Sequence, residues 1–573
     1  MTKNLQAALV VAVGFGLAFV AGCKTDGPTG IPFVAPKVRR IGVDDYVDKM
    51  KAGWIGQMAG VGWGGPTEFH HKGEIIPVDE MPQWQPDMIN QFQQDDIYVE
   101  MTFLRTLEQY GLDCSIRQAG IDFANSGYSL WHANRAGRDN LRGGIAPPDS
   151  GHPEFNKHAD DIDYQIEADY SGLIAPGLPN VAIKLGEKFG RLMNYGDGLY
   201  GGQFVGGMYA EAFFEQDMEK VVRAGLKCIP KNSQYAECIR DVLAWYRQNP
   251  NDWERTWQLI EAKYNRNPAY RRFSCGGAES DFNIDAKING AYIVMGLLYG
   301  RGDPDMTIVI STRCGQDSDC NPSNAGGVLF TSIGFSKLPD RFKSALNPEG
   351  KFSHTPYNFP TLVQVCEQLV RQAVRAARGR IEKGTDGREV FVIPVIRPKP
   401  TRLEQCWEPG PIANSRFTET EMAKITAITG KDLSKAISEF APGWKVTKCG
   451  EDMDPGLYAE KRGKKKVLVT HPLNPTTGCV ISRTVDVPAD KKTTLKLVVG
   501  NDERGDWDLI VKADGKELLR KTVGEDTAPG GWMDVEVDLS RYAGKKVKLE
   551  LVNEPTDWRF EAGHWAQISL ERR

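Results

Sequence analysis

The chain has 573 residues, of which 41% are hydrophobic and 25% charged, and its formal net charge is −4. This length exceeds what a single hydrophobic core usually organises, so we expect two or more domains. The near-neutral charge argues against nucleic acid as a partner, because phosphate binding needs a concentrated basic surface.

The N-terminus has the layout of an export signal. A lysine precedes an apolar stretch from Leu5 to Val20, which is short for a membrane-spanning helix. The closing Val20-Ala21-Gly22-Cys23 resembles the lipobox of bacterial lipoproteins, in which the signal is removed and the cysteine is acylated. We therefore predict a lipoprotein signal peptide over residues 1–22, lipidation of Cys23, and a tether over residues 23–41. An ordinary signal peptide with an incidental Cys23 is the alternative. The predicted location is outside the cytoplasm, membrane-anchored at the outer membrane or cell surface.

From residue 42 to 384 the dominant hydrophobic period is helical. Apolar residues recur at three- or four-residue steps, as at Ile97, Met101 and Leu104. Loops rich in Gly and Pro, such as residues 142–148, separate these segments. The pattern predicts an all-helical domain whose loops carry the functional residues.

The C-terminal third has a different pattern. Residues 385–439 are rich in proline and predict an extended connector with a short helix near Glu419–Ile428. From residue 440 to 573 hydrophobicity alternates with period two, as at residues 495–499, and turn signals such as Asp514-Gly515 separate the runs. These short strands predict a β-sandwich of jelly-roll type.

Four carboxylates stand out because they occur in two tight groups. Asp95 and Asp96 follow Gln94 at the start of a predicted helix, where acids also simply complement the helix dipole. Asp317 and Asp319 lie in a loop between an apolar run and a stretch of small residues. If the two groups meet in the fold, they form a site for a hard divalent cation such as Mg²⁺ or Mn²⁺.

The second group also begins like a calcium-binding EF-hand loop, but the rest of that loop does not fit. The position that needs glycine is Pro322, and the position that needs a bidentate glutamate is Val328. Two Mg²⁺ or Mn²⁺ ions held about 3.5–4 Å apart could instead orient a sugar diol and lower the pKa of a bound water.

The spacing of cysteine and histidine predicts no zinc site. The sequence contains neither a CxxC nor an HExxH arrangement. Cys228 with Cys238, and Cys449 with Cys479, are close enough in sequence to be possible disulfides in an exported protein.

Four segments, in order, resemble the ADP-ribosylglycohydrolase family. They are a glycine-rich helix that runs into Glu68, the Asp95-Asp96 pair, residues 194–202, and Asp317-Ser318-Asp319-Cys320-Asn321. Each motif is weak alone, whereas four in the family's order are a strong signal. The resemblance spans roughly residues 45–340. It implies an all-helical hydrolase with a dinuclear magnesium or manganese site.

The resemblance also implies roles for particular residues. Asp95, Asp96, Asp317 and Asp319 would be metal ligands, and Asp317 would take part in catalysis. Glu68 would gate the pocket or act as a general acid or base, since glycoside cleavage usually needs a carboxylate at the scissile bond. A solvent-exposed loop acid is the alternative for Glu68. The implied substrate contacts come from Asp169, Gly172, Asn194, Gly196, Asp197 and Tyr200.

The sequence departs from the family pattern at three places. Gln94 stands where a metal-binding threonine is usual, and Cys320 stands where many members have another threonine. Because a thiol is a poor ligand for Mg²⁺, we expect one of the two ions to be weakly bound. The family's phosphate-binding segment appears as residues 169–176, which lack arginine and contain an added acid, Asp169. This acid would repel a diphosphate, which argues against ADP-ribose as substrate.

The C-terminal module resembles the carbohydrate-binding jelly rolls appended to exported glycosidases. It carries Trp507, Trp532, Trp558 and Trp565, whose indoles could stack on sugars or fill the core. We predict a metal-dependent glycosyl hydrolase acting on an extracytoplasmic glycan or glycoconjugate. One alternative is a true ADP-ribosyl hydrolase that removes ADP-ribose from protein, nucleic acid or a small molecule. Another is a non-catalytic surface binding protein.

Overall fold

The computed structural model describes residues 37–425, 431–450, 453, 455–473, 475–556 and 560–573. The predicted signal peptide, Cys23 and most of the predicted tether lie outside these residues. Residues 38–573 form one compact unit. In the part of the chain that the structure describes, no helix is both long and apolar enough to cross a membrane.

Helices dominate the first two thirds of the unit and strands the last third. The α-helices are α1 Val43–Gly64, α2 Asp95–Tyr110, α3 Ile116–Ala124, α4 His132–Arg142, α5 Asp163–Ile166, α6 Asp169–Leu173, α7 Pro179–Phe189, α8 Asp197–Ala212, α9 Met218–Leu226, α10 Gln234–Gln248, α11 Trp253–Ile260, α12 Ala286–Tyr299, α13 Pro304–Arg313, α14 Cys320–Ile333, α15 Phe359–Ala376, α16 Glu419–Met422 and α17 Lys431–Phe440. The strands are β1 Val38–Gly42, β2 Arg380–Lys383, β3 Glu389–Pro394, β4 Lys445–Thr447, β5 Gly456–Lys461, β6 Lys464–Thr470, β7 Cys479–Asp486, β8 Thr493–Gly500, β9 Trp507–Ala513, β10 Lys516–Val523, β11 Trp532–Asp538, β12 Lys546–Glu554 and β13 Gly563–Arg572.

Helix α1 lies at the centre of the helical domain and packs closely on α14. Gly56, Gly60 and Gly64 are four residues apart and therefore share one face of α1. A Cβ on these glycines would lie 2.3, 2.2 and 2.1 Å from a backbone oxygen of α14 or of the loop before it. Only glycine permits this approach, which places the loop of residues 315–319 against the end of α1.

A small antiparallel sheet completes the helical domain, with strand order β1-β3-β2. Val38 pairs with Pro394 and Gly42 with Val390. The end of the predicted tether and the start of the predicted connector are therefore strands of this domain. Local sequence did not indicate this, because the pairing joins residues about 350 positions apart and β structure depends strongly on context.

Between β3 and α16 the predicted connector is irregular and bound along the helical domain. Tyr200 Oη donates to the Arg402 carbonyl at 2.7 Å, and Asp149 accepts the backbone N–H groups of Ala413 and Ser415 at 2.8 and 2.7 Å. The predicted short helix is only the single turn of α16. Residues 426–430 lie outside the described residues.

The C-terminal module consists of two five-stranded antiparallel sheets, as the alternating pattern predicts. Their strand orders are β10-β9-β12-β7-β4 and β11-β8-β13-β6-β5. Helix α17 contributes Leu433 and Ile437 to the same core, so the module begins before the predicted boundary at residue 440.

The tryptophans of this module are divided between core and surface. Trp507 and Trp565 are fully buried, with ring centroids 5.3 Å apart. They fill the core and cannot contact a sugar. Trp532 is half-buried and donates its indole N–H to the Arg462 carbonyl at 2.9 Å. Trp558 lies outside the described residues.

The ten cysteines in the described part of the chain are all free. Cys228 and Cys238 donate to different carbonyls, those of Ala224 and Lys287, so they do not form the possible disulfide. Cys449 and Cys479 lie close enough for their thiols to interact.

Candidate active site

Three chain segments bring the predicted acids together. Glu68 follows α1, Asp95 and Asp96 begin α2, and the loop before α14 supplies Asp317 and Asp319. Ligand atoms of Glu68, Asp317 and Asp319 lie within 4.8 Å of one another, as do those of Asp96, Asp319 and Cys320. Asp319 is thus shared by both groups, while Asp95 and Asp317 line the same cavity. The two acidic motifs meet in the fold.

The cluster carries more negative charge than its hydrogen bonds compensate. Asp96, Asp317 and Asp319 are 0%, 3% and 2% exposed. Each has a carboxylate oxygen without a hydrogen-bond partner among the described residues. Buried carboxylates in this condition require either protons or a cation. Because the unpaired atoms are carboxylate oxygens, the donor set fits a hard divalent ion such as Mg²⁺ or Mn²⁺.

Burial and mutual repulsion shift the pKa of these acids upward. Desolvation, followed by the charge of Asp319, raises the pKa of Asp95 to about 7 and holds the pKa of Asp96 and Asp317 well above the usual range. The same two causes raise the pKa of Glu68 to about 8, although this side chain is exposed at the cavity mouth. A cation bound by Asp95, Asp96 and Asp317 would displace the protons that these three aspartates retain.

Cys320 serves a different purpose from the one expected of a metal ligand. Its Sγ donates to Asp96 Oδ2 at 3.1 Å, and burial together with the charge of Asp317 raises the pKa of the thiol well above its usual value. The neutral thiol therefore orients the Asp96 carboxylate. Gln94 lines the cavity and precedes α2 without capping it by its side chain.

Gln316 fixes the conformation of the loop that carries Asp317, a role that the sequence did not indicate. It adopts a left-handed φ of 58°, a conformation that is costly for a residue with a side chain. Its amide group accepts from Asn283 N at 2.9 Å and donates to the Asp281 carbonyl at 2.7 Å. Its backbone bonds to His71 and Phe69. These contacts offset the backbone strain at Gln316 and fix the position of the loop that carries Asp317.

A second contact joins Glu68 to this loop. The hydroxyls of Thr67 and Ser318 lie 2.8 Å apart, and Thr67 also donates to the Gly64 carbonyl at 2.8 Å. The turn before Glu68 is therefore tied to the residue between the two aspartates. This explains why threonine precedes the glutamate.

The acids open into a cavity of about 490 Å³. Trp131 is 53% exposed at this cavity, and the rings of Phe69 and Phe282 lie 5.2 Å apart. Among the described lining residues, Lys72 is the one lysine or arginine. The lining residues are Glu68, Phe69, Lys72, Gln94, Asp95, Trp131, His132, Asn134, Ile162, Asp163, Ile166, Phe282, Ile284, Asp317 and Cys320.

The predicted substrate contacts in residues 194–200 have structural partners. Asn194 donates to the carbonyls of Ala159 and Asp161 at 3.0 and 2.8 Å and accepts from Tyr164 N. Gly196 adopts a φ of 54°. Asp197 is buried, accepts from a backbone N–H and is close to the buried Lys287. Tyr200, as described above, holds the connector.

The other two predicted contacts are also buried away from the cavity. Asp169 accepts from Tyr209 Oη and, at 2.7 Å, from Asn324 Nδ2. A Cβ on Gly172 would lie 2.4 Å from the Gly206 carbonyl, so this glycine permits helix packing. None of the six lines the cavity, and the structure gives no support to a substrate contact for them. Asp169 therefore provides no evidence about a diphosphate.

The comparison with protein families agrees with this arrangement. The model of the family described as ADP-ribosylglycohydrolase matches residues 43–380, more than half of the chain. The chain belongs to the ADP-ribosylglycohydrolase family. Membership supports a hydrolase, and ADP-ribosylglycohydrolases are commonly metal-dependent. The family match extends the resemblance seen in the sequence to β2.

Solved structures are similar to part of this chain at low sequence identity. One titled "ADP-ribosylglycohydrolase-related protein complex" covers 58% of this chain and 99% of its own, with 13% identity and a TM-score of 0.36. A CBM22-1 xylan-binding domain from Paenibacillus barcinonensis covers 23% and 86%, with 14% identity and a TM-score of 0.18. A CBM35 from the same organism covers 22% and 92%, with 14% identity and a TM-score of 0.17. No curated protein matches the chain.

Proposed function

We propose that this protein is a divalent-metal-dependent hydrolase that cleaves a glycosyl bond of an extracytoplasmic glycan or glycoconjugate. One observation carries the proposal. Asp96, Asp317 and Asp319 are buried together beside an open cavity, and each has an unpartnered carboxylate oxygen. Burying such a cluster without a cation costs folding free energy, and hard cations prefer carboxylate ligands.

The acidic residues would hold one or two Mg²⁺ or Mn²⁺ ions, which when bound polarise a sugar diol and lower the pKa of a water. Asp95, Asp96, Asp317 and Asp319 supply the carboxylates. Cys320 keeps Asp96 oriented through its hydrogen bond of 3.1 Å. Hydrogen bonds to the side chains that bind a metal commonly tune the affinity of the site.

Glu68 is suited to proton transfer at the cavity mouth. In the metal-free protein, burial and the charge of Asp319 raise its pKa to about 8, and it lines the cavity together with Asp95 and Asp317. A protonated carboxyl group in this position can donate to the oxygen of a leaving group. Glu68 would then act as the general acid.

The aromatic side of the cavity would bind the sugar or its leaving group. Trp131, Phe69 and Phe282 offer apolar ring faces beside the acids, and sugar rings stack well on such faces. The predicted signal peptide and the predicted lipidation of Cys23 support a membrane-anchored setting outside the cytoplasm. That setting favours a glycan or glycoconjugate as substrate.

A second candidate is hydrolysis of an ADP-ribosyl bond. The exposed ring of Trp131 could stack on adenine, and Lys72 offers one positive charge in the same cavity. Asp95 and Asp163 line that cavity as well, and they would repel a diphosphate that is not neutralised by metal. The first candidate therefore remains preferred.

The test uses the mature chain from residue 23 with Mn²⁺ or Mg²⁺. Chromogenic pentofuranosides and hexopyranosides are compared with ADP-ribosyl conjugates, so that product identity distinguishes the two candidates. Glu68→Gln is expected to lower kcat about 100- to 10,000-fold. Glu74→Gln, which changes an exposed acid of the same loop, is expected to retain activity. Metal-bound protein that hydrolyses none of these substrates would favour a binding protein instead.

A further inference from the structure

A second group of potential metal ligands lies beside the acidic cluster but shares no residue with it. Ligand atoms of His132, His158 and Cys275 lie within 4.8 Å of one another. The Asp161 carboxylate joins them, with its Oδ2 3.3 Å from His132 Nδ1 and 2.8 Å from His158 Nδ1. Two imidazoles, a thiol and a carboxylate form a donor set that suits zinc better than magnesium.

The fold holds these four side chains in place from three separate segments. His132 begins α4 with a φ of 42°. The loop of His158 and Asp161 is joined to the segment after Cys275, since Ile162 N donates to the Ile284 carbonyl and Ala286 N to the Asp160 carbonyl. A site assembled on such connected segments needs little rearrangement to bind an ion.

Arg271 fixes the loop that carries Cys275. This buried guanidinium donates to the carbonyls of Ser280 at 2.7 Å, Phe282 at 2.8 Å and Cys275 at 3.2 Å. The Cys275 thiol thus has a defined position although it lies in a long loop. Its half-buried side chain leaves a path for an ion from solvent.

One divalent cation would match the charge of this group in its metal-binding form. Asp161 is fully buried, and its Oδ1 has no hydrogen-bond partner among the described residues. One thiolate and one carboxylate neutralise one Zn²⁺ when both imidazoles are neutral.

We propose that His132, His158 and Cys275 bind one zinc ion, with the Asp161 carboxylate completing the site. The ion would fix the wall of the cavity, because His132 lines the cavity and stacks on Phe282 with ring centroids 5.7 Å apart. This site would exist beside the acidic cluster and does not depend on the reaction catalysed there.

The test measures binding of Zn²⁺ and Co²⁺ to the full mature chain. In Asp317→Asn, which disrupts the acidic cluster, about one Zn²⁺ per chain should remain after dialysis. Co²⁺ should produce a thiolate-to-metal charge-transfer band in this variant. Cys275→Ser should abolish the band, whereas the control Cys320→Ser should keep it. Asp161→Asn should weaken Zn²⁺ binding about 10- to 100-fold.

The site is overturned if folded protein retains no Zn²⁺ or if Cys275→Ser keeps the charge-transfer band. Should Cys275→Ser fail to fold by near-ultraviolet circular dichroism, His158→Gln replaces it and must likewise lose Zn²⁺. Failure of the proposed hydrolase would appear differently, as absent turnover in the native chain although the Asp317→Asn variant still binds Zn²⁺.

Discussion

Cys320 supports the acidic cluster through a hydrogen bond, although a thiol is a poor ligand for a hard cation. Its thiol donates to Asp96 Oδ2 at 3.1 Å, and a fixed donor of this kind holds a carboxylate in the orientation that a cation needs. The sequence suggested only that the thiol replaces a better ligand, because a hydrogen bond between residues 224 positions apart is invisible in it. We therefore expect both predicted ions to bind.

Two substitutions of Cys320 test whether its hydrogen bond to Asp96 affects metal binding. Cys320→Ser keeps a donor and should leave the Mn²⁺ dissociation constant within a few-fold of the native value. Cys320→Ala removes the donor and should raise that constant about 10-fold or more. Isothermal titration with Mn²⁺ measures both. Equal binding by the two variants would show that the hydrogen bond does not matter.

The metal-free acidic cluster should make stability depend on pH. Asp95 retains its proton in the folded state up to a pKa of about 7, above its usual value. The contribution of the protonated Asp95 carboxyl group to the free energy of unfolding is fully present below pH about 4. This contribution is lost as the pH rises through 7. Asp95→Asn should therefore gain melting temperature over the native chain as the pH rises from 4 to 8, by on the order of 3 °C. A constant difference across this range, measured in EDTA, would contradict the assigned pKa.

At the level of secondary structure, the glycines of α1 determine whether the site forms. Gly60→Ala would place a Cβ 2.2 Å from the Pro322 carbonyl, and backbone cannot move aside as a side chain can. We expect a loss of about 3 kcal/mol in unfolding free energy together with weaker Mn²⁺ binding. Gly65→Ala is the control, since the nearest atom to its Cβ would be 4.0 Å away. Denaturant unfolding of both variants tests this, and equal losses would contradict close packing.

The helices could be predicted from their period, whereas the small sheet could not. Hydrophobic repeats identified α2, and the family motifs identified the acids. Strands β1 and β3 were not predicted, because the two strands that pair are far apart in the sequence. The roles of Gln316, His132 and Phe282 were not predicted for the same reason, since these roles depend on neighbours that are distant in sequence.

For the whole molecule, the boundary of the helical domain lies well beyond residue 384. Strand β3 is the centre of the sheet β1-β3-β2, and Arg117 Nε donates to Glu421 Oε1 at 2.7 Å. A chain of residues 38–425 should therefore fold and bind Mn²⁺, while residues 38–384 should be unstable. Thermal unfolding compares the two chains. Equal melting temperatures would show that the connector is dispensable.

The proposed function depends on the binding of a catalytic divalent cation by the acidic cluster. The most direct measurement is the melting temperature of the mature chain as Mn²⁺ is titrated, for the native protein, Asp317→Asn and the control Asp340→Asn, an exposed acid. We expect a saturable rise of several degrees in the native protein and in the control, and none in Asp317→Asn. A native protein that is folded but unaffected by Mn²⁺ and Mg²⁺ would contradict the claim, and so would an undiminished rise in Asp317→Asn.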